Sequence, residues 1–443
     1  MPRYCGVDIG TSSVKIGVYD DSGHRLSLAR VPYDTRRPFP GRAEQDPQAW
    51  LQAVCDHLED IGSVEGISFG GLMNTYVPVD RNVTPLGPAV TWEDERRPQH
   101  LPTGVATSSY RSRTAWMRAS NLDTWERTRW VLLPKDYVIQ GLSGQTIGDT
   151  LSWNGVLASS GSGFDADLDE GARSRIPDLG PPDSVITSRF GPVVIGVPDT
   201  VAAIVGCGLE AGTAYSMSGT SESIGLLSEI AEPSAGIHSA VPVCGRWLHA
   251  GPSSAGGIAL EWAARVLTSG DVRALSGHAR ASRHSDPPLF VPYLSGERAP
   301  TWNSSVKGAF LWLKADHVND DLCFAVVEGI EFAVRRLLAA IETSAGVSTL
   351  RMRGGGGSLV DPFIAQLRAN VCNRVLEVAA EPETGTRGAA CLAFAGSMVD
   401  LEEAASSFSP RFITYEPRTG GRSEERFQRW LNGAENVASL DRK

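Results

Sequence analysis

At 443 residues the chain is long enough for two to four domains of ~100–200 residues each. Its 41 Lys and Arg against 51 Asp and Glu leave a net charge of −10, which argues against a nucleic-acid groove or an anionic membrane surface as the main partner, since both reward clustered positive charge. With 42% hydrophobic and 21% charged residues the composition is that of a globular protein, while 47 glycines exceed the usual ~7% and point to tight turns and close backbone approaches to a ligand.

In chain order, residues 4–9 (Tyr-Cys-Gly-Val-Asp-Ile) read as a strand and Gly10-Thr11-Ser12 as a tight turn. Val14 to Tyr19 returns as a strand, Asp20 to Gly23 turns again, and Leu26 to Val31 supplies a third strand. Asp46-Pro47 has the form of a helix start, with the acid at the cap and Pro in the first turn, and Trp50, Leu51, Val54, Leu58 and Ile61 follow at helical spacing. Val64 to Phe69 and Tyr76 to Val79 return to strand character. This order predicts a mixed α/β layer rather than strict βαβ alternation. Residues 158–165 and 177–183 read as loop-like interruptions.

After Cys207-Gly208 the pattern restarts: Ala214 to Met217 as strand, Gly219-Thr220-Ser221 as turn, Ser223 to Leu226 as strand. The same Gly-Thr-Ser hairpin followed by Ile-Gly stands once in each half, suggesting two domains of similar plan, 1–208 and 209–443. Leu322 to Ile341 predicts a long apolar helix, and Ser423 to Leu431 an exposed charged one.

No run approaches the ~20 apolar residues needed to span a bilayer, and Asp8 stands where an export signal needs an apolar core. Seven scattered cysteines (Cys5, Cys55, Cys207, Cys244, Cys323, Cys372 and Cys391) form no C-x-x-C pair, and read as buried thiols in a reducing cytoplasm. Cys and His spacing gives no protein-built zinc motif.

A Gly-Thr-Ser turn offers backbone N–H groups and hydroxyls at one point, a nest that binds phosphate oxygens without net positive charge. Two such turns suit successive phosphates of a nucleotide. Asp8, two residues before the first turn, is placed to hold Mg²⁺, and Lys15 lies on the returning strand. Asp199 ends an apolar strand at Gly196-Val197-Pro198 and opens an apolar helix. It is either a helix cap or a general base accepting a proton from a substrate hydroxyl. Gly354 to Gly357 precede another apolar helix and suit close approach of an adenine ring and its phosphates.

These residues resemble the FGGY carbohydrate kinases, in the fold superfamily of actin, hexokinase and the heat-shock ATPases. Asp8 to Lys15 is similar to that family's D-x-G-T-x-x-x-K, Glu44 to Pro47 to its EQDP, Trp92 to Arg96 to its W-x-D-x-R, and Pro134 to Tyr137 to its PKDY. Gly196 to Ala203 resembles the segment of the catalytic aspartate, which falls on Asp199. Gly219 to Ser221 resembles the second phosphate motif, Pro292 to Pro300 the PYLxGER-P segment, and Gly354 to Gly357 the adenosine motif.

The resemblance implies two ribonuclease-H-like (actin-like ATPase) α/β domains with an interdomain cleft, ATP and Mg²⁺ as cofactors, and a small sugar as substrate. In this reading Asp199 is the catalytic base and Asp8 the metal residue. Gly10, Thr11, Ser12, Lys15, Gly219, Thr220, Ser221, Gly355, Gly356 and Gly357 take the nucleotide, and Met73, Asn74, Trp92, Asp94 and Asp199 the sugar. A ketose such as xylulose is the first expectation; a polyol or sugar acid, or a catalytically silent nucleotide sensor, are the alternatives. A cytoplasmic enzyme is expected, with a homodimer left open.

Departures bear on the substrate. Xylulose kinases carry Gly-Gln-Met-His where this chain has Gly71-Leu72-Met73-Asn74, and Trp312 stands where a Gly is usual. The chain is also short between Arg97 and Ser108. Gly66-Ile67-Ser68-Phe69-Gly70 matches the hydrolase G-x-S-x-G, but leads into strand-like residues rather than the helix a nucleophile elbow requires. No G-x-x-x-x-G-K-[ST] is present.

Overall fold

The computed structural model describes residues 1–98, 106–157, 167–237, 239–243, 245–396, 400–418 and 422–440. The 158–165 interruption, Cys244 and most of the short stretch after Arg97 lie outside the described residues. Two compact units are formed: Met1–Gly208 with Gly385–Ser409, and Leu209–Thr384 with Pro410–Lys443.

The first unit is built on β1 (Tyr4–Ile9), β2 (Ser13–Tyr19), β3 (Arg25–Pro32), α1 (Pro47–Ile61), β4 (Gly66–Gly71), β5 (Val185–Ser188), β6 (Gly191–Pro198) and α2 (Asp199–Val205). The sheet order is β5-β6-β4-β1-β2-β3, with β1 antiparallel to β2 and parallel to β4, and β6 parallel to β4. Near-continuous apolar runs mark strands covered on both faces, and Val7, Ile9, Val14, Ile16, Ile67 and Phe69 are all buried. Helix α1 begins as its sequence requires: Asp46 accepts from the Gln48 N–H, Pro47 occupies the first turn, and Trp50, Val54 and Leu58 face the core.

The unit also takes in all but the first residue of the Thr384–Ala395 helix. A Cβ on Gly6 would stand 1.9 Å from the Thr386 carbonyl oxygen and one on Gly388 1.7 Å from that of Ala202, so this helix docks by backbone approach. The first unit thus takes in a segment beyond Gly208, one that lies in sequence between β12 and β13 of the second unit.

The second unit contains β7 (Thr213–Ser218), β8 (Glu222–Ser228), β9 (Ser239–Val243), β10 (Arg246–Ser253), α3 (Gly257–Leu267), α4 (Asn319–Ala345), β11 (Arg351–Gly356), α5 (Pro362–Cys372), β12 (Val375–Ala379), β13 (Phe412–Tyr415) and α6 (Arg422–Leu440). Its sheet runs β9-β10-β8-β7-β11-β12-β13. The order third-second-first-fourth-fifth thus occurs in each unit, as β3-β2-β1-β4-β6 and as β10-β8-β7-β11-β12. In both, the Gly-Thr-Ser turn joins the antiparallel first and second strands. The core gathers Leu226, Val334, Leu337, Ile341, Met352 and Leu376 around α4.

Two expectations are corrected. Residues 177–183 are not wholly loop, since Asp178–Gly180 pairs in parallel with Ile147–Asp149. Helix α6 is longer than 423–431 and not simply exposed: Phe427 and Trp430 are buried, and the Trp430 indole N–H donates to the Phe290 carbonyl at 2.7 Å. Its charged residues hid an apolar stripe. No helix among the described residues is long and apolar enough to cross a membrane.

Candidate active site

In the first unit, strand register sets two carboxylates beside one glycine. Asp8 on β1 pairs with Gly70 on β4, and Val197 on β6 pairs with Gly70 from the other side. A Cβ on Gly70 would stand 3.5 Å from the Asp199 Cα and 3.9 Å from Asp8 Oδ1. The β6 register shifts between Val194 and Val197, where Gly196 has φ +81° and a Cβ would sit 2.0 Å from the Phe69 carbonyl oxygen. This irregularity, open only to glycine, re-aims the strand end that carries Asp199.

Pro198 occupies the N-cap position of α2 and makes no side-chain cap. Asp199 is the first helical residue, and its Oδ1 accepts from the Thr200 N–H at 2.7 Å and the Thr200 hydroxyl at 3.3 Å. The Asp199 carboxyl is raised to about 7, first by desolvation and then by the negative charge of Asp8, against the Thr200 hydrogen bonds and the Lys15 charge that lower it. An acid so tuned accepts and gives up a proton near neutrality. Lys15, paired with Asp8 in the hairpin register, reaches Asp8 Oδ2 at 3.5 Å.

The Met73 and Asn74 side chains follow directly from β4, where the Leu72 N–H bonds to the Ile9 carbonyl at 3.1 Å, beside the end of β1. Leu72 itself is buried, whereas Met73 and Asn74 are partly exposed. Asn74 takes the left-handed conformation, φ +56°, which Asn tolerates better than most residues, and its Oδ1 accepts from the Tyr76 hydroxyl at 3.3 Å. The Trp92 N–H bonds to Thr75 Oγ1 at 3.2 Å, placing a half-buried indole next to this segment. Asp94, expected at the sugar, is held by a dense set of partners. Its side chain is sealed from solvent and takes hydrogen bonds from the Ala43 N–H, the Arg96 guanidinium and backbone, and Arg113. Arg96 also pairs with Glu44 at 2.8 Å.

In the second unit, Gly219, Thr220 and Ser221 form the turn between β7 and β8, with the Gly219 N–H bonded to the Ser221 carbonyl at 3.0 Å. The Gly354–Gly356 run is the end of β11, paired with Ser216 to Ser218 of β7. Gly356, at φ +108°, leaves 1.9 Å between an added Cβ and the Ser218 carbonyl oxygen. Gly356→Ala is therefore expected to raise the KM for ATP at least tenfold in steady-state assays, by displacing the strand end beside the turn. An unchanged KM would count against the nucleotide role expected of Gly356.

Sequence reasoning missed the charge cluster beneath this turn. Arg368 on α5, fully buried, donates to Glu222 at 3.0 Å and to Glu331 on α4 at 2.6 Å, and also to Ser216 Oγ at 2.9 Å. Glu222 accepts from the Ser218 hydroxyl, which also meets Ser358. The three residues come from separate elements, so spacing gave no signal.

Sequence reasoning also gave no metal motif outside Asp8, yet His284, Asp316 and His317 of the second unit bring ligand-type atoms within 4.8 Å of one another. Both imidazoles are already committed: His284 Nδ1 accepts from the Asp286 N–H at 2.9 Å and His317 Nδ1 from the Lys314 N–H at 3.0 Å. A metal on either Nε2 needs a hydrogen on Nδ1, which those backbone donors oppose.

The repeated strand order and its paired glycine turns define an actin-like, two-domain fold. Comparison with known proteins narrows this class. The N-terminal domain of the FGGY family of carbohydrate kinases matches residues 3–152, and the C-terminal domain of that family matches residues 214–397. The chain belongs to the FGGY family of carbohydrate kinases and is a sugar kinase, a family property that implies ATP as co-substrate.

A xylulose kinase of Lactococcus lactis subsp. lactis is 26% identical over 505 residues, covering 99% of this chain and 98% of that protein. A gluconokinase of Bacillus subtilis is 24% identical over 456 residues, covering 90% and 89%. A ligand-bound xylulose kinase structure from Lactobacillus acidophilus superposes with a TM-score of 0.85 at 21% identity, covering 99% of this chain and 98% of that one.

Proposed function

We propose that the chain transfers the γ-phosphoryl group of ATP to a hydroxyl of a small neutral ketose such as xylulose, with Asp199 as the general base. The observation that carries this reading is the Asp8–Gly70–Asp199 arrangement, in which burial first, and then the neighbouring Asp8 charge, raise the Asp199 carboxyl to about 7. The substrate O–H bond breaks as its proton passes to Asp199. The freed oxygen pair then forms the new bond to phosphorus, and the bond from phosphorus to the ADP oxygen breaks.

The turn at Gly10, Thr11 and Ser12, Lys15, the turn at Gly219, Thr220 and Ser221, and Gly355, Gly356 and Gly357 are assigned to the nucleotide. Met73, Asn74 and Trp92 are assigned to the sugar, the amide to hydroxyls and the indole to its apolar face. Asp8, a hard-oxygen donor at a strand end, suits Mg²⁺, which takes one or two carboxylates together with substrate phosphates. Bound there, the ion neutralises charge on the transferring phosphoryl group. The six described cysteines are buried and form no disulfide with one another, in keeping with a cytoplasmic setting.

A neutral sugar is favoured over a sugar acid because the two arginines gathered at Asp94, Arg96 and Arg113, are spent on Asp94 and Glu44. A coupled ADP-release assay over ketoses, polyols and sugar acids tests this. The expected result is a kcat/KM for a ketopentose at least tenfold above that for gluconate or glycerol. A preference for gluconate would overturn the substrate, and no turnover with any compound would support the silent nucleotide sensor.

A further inference from the structure

The first glycine turn is held from behind by one segment of chain. The Tyr33 hydroxyl donates to the Gly10 carbonyl, the Gln45 side-chain amide donates to the Thr11 carbonyl at 2.8 Å, and the Tyr33 N–H donates to the Ser12 carbonyl at 3.2 Å. Gln45 is itself steadied by a 2.8 Å hydrogen bond to Thr35 Oγ1. The Tyr33 ring packs edge-on against Trp50 of α1, with centroids 6.2 Å apart and planes at 64°.

Peptide planarity converts these contacts into a direction. In each peptide the N–H points opposite to the C=O, so drawing the Gly10 and Thr11 carbonyls toward Tyr33 and Gln45 turns the Thr11 and Ser12 N–H groups the other way. The second unit reaches the same end by other means. There the Gly219 carbonyl accepts from the Gly257 N–H and the Thr220 carbonyl from the Ile258 N–H, each at 3.0 Å. Those donors lie at the start of helix α3, where backbone N–H groups lack intrahelical partners. In the first-unit turn a phenol and a carboxamide donate to the corresponding carbonyls.

We propose that Tyr33, assisted by Gln45, is a positioning residue for the nucleotide: it fixes the peptide planes of the first turn so that the Thr11 and Ser12 N–H groups face phosphate oxygens. The proposal rests on the reading of this turn as a phosphate holder. Burial, and then the Asp8 and Asp199 charges, push the Tyr33 hydroxyl above its ordinary range, so it stays protonated and able to donate throughout the working pH range. Its ring packs whether or not the hydroxyl is present, which separates the two roles.

The test is Tyr33→Phe, which keeps the ring against Trp50 and removes only the donor. Calorimetric titration with ATP is expected to give a Kd about five- to tenfold higher than wild type, the factor one net hydrogen bond is worth. The KM for ATP should rise in step, while the KM for the sugar and the thermal midpoint stay near wild type. Gln45→Leu should act in the same direction, with the double variant weaker than the product of the single effects because both changes act on one turn.

Wild-type ATP affinity in Tyr33→Phe, with a lowered thermal midpoint in Tyr33→Leu, would reduce Tyr33 to packing and overturn the proposal. So would a wild-type protein that binds no ATP. Absence of sugar turnover with intact ATP binding would instead sink only the ketose reading, since the Kd comparison still decides the role of Tyr33.

Discussion

Asp199→Asn is expected to lower kcat by about 10²–10⁴-fold, the span that a positioned general base contributes, while ATP binding remains close to wild type. The amide keeps the shape of the carboxyl and its contact with Thr200 but has no basic oxygen to take the hydroxyl proton. Single-turnover assays and a parallel ATP titration separate the two effects, and turnover at the wild-type rate would move the base elsewhere. The wild-type kcat/KM should show an acid limb of one proton with a midpoint near the value of about 7 raised by burial and Asp8, because the base is lost as it protonates. Asp8→Asn should move that limb to lower pH by removing the neighbouring charge.

The same electrostatics set the sign of a stability effect. A carboxyl raised from ~3.9 when unfolded to about 7 when folded binds more protons in the folded state between those values. Stability from this group is therefore fully present below the unfolded value and is lost as pH rises through about 7. At pH 8 the Asn variant should melt a degree or more above wild type, a trade of stability for activity at one residue.

The second large effect is expected at Arg368. Arg368→Met leaves Glu222 and Glu331 facing each other in the interior without their shared cation, and stranding buried charge in this way costs about 3–5 kcal/mol. For a chain of this size that is a fall in thermal midpoint of about 3–5 °C, readable by calorimetry. Burial already raises the Glu331 carboxyl against the opposing pull of Arg368, so the loss of Arg368 should be answered by proton uptake, and the variant should recover stability as pH falls. A midpoint within a degree or two of wild type would mean that the cluster is structurally idle. Replacing Glu331 by Gln in the Arg368→Met background should restore part of the loss, since one buried charge then disappears.

The first four strands, helix α1 and both Gly-Thr-Ser turns could be read directly because each is a local pattern: apolar runs between turn residues, an Asp-Pro start, a repeated tripeptide. Asp8 and Asp199 could be singled out from motifs, but what raises the Asp199 carboxyl could not, because burial comes first and then the Asp8 charge, which strand register brings beside Gly70. The surroundings of Asp94 were hidden for a related cause. A Trp-x-Asp-x-Arg string does not reveal that Arg96 and Arg113 converge on the carboxylate and close it off. Tyr33 lay outside every motif, and its role follows only from which carbonyl its hydroxyl meets. Arg368, Glu222 and Glu331 come from distant stretches of chain, and the stripe of Phe427 and Trp430 on α6 was masked by the arginines and glutamates around it.

The segment Gly385–Ser409 has a consequence for biosynthesis. Domains usually form as they emerge from the ribosome, N-terminal first, but here the backbone surface at Gly6 waits for a helix encoded after most of the second unit. At ~5–20 residues per second the interval is roughly 10–40 s, during which a nascent chain ending near Gly208 carries a sheet lacking one of its covers. The first unit is thus expected to complete its packing only after most of the second unit has been made.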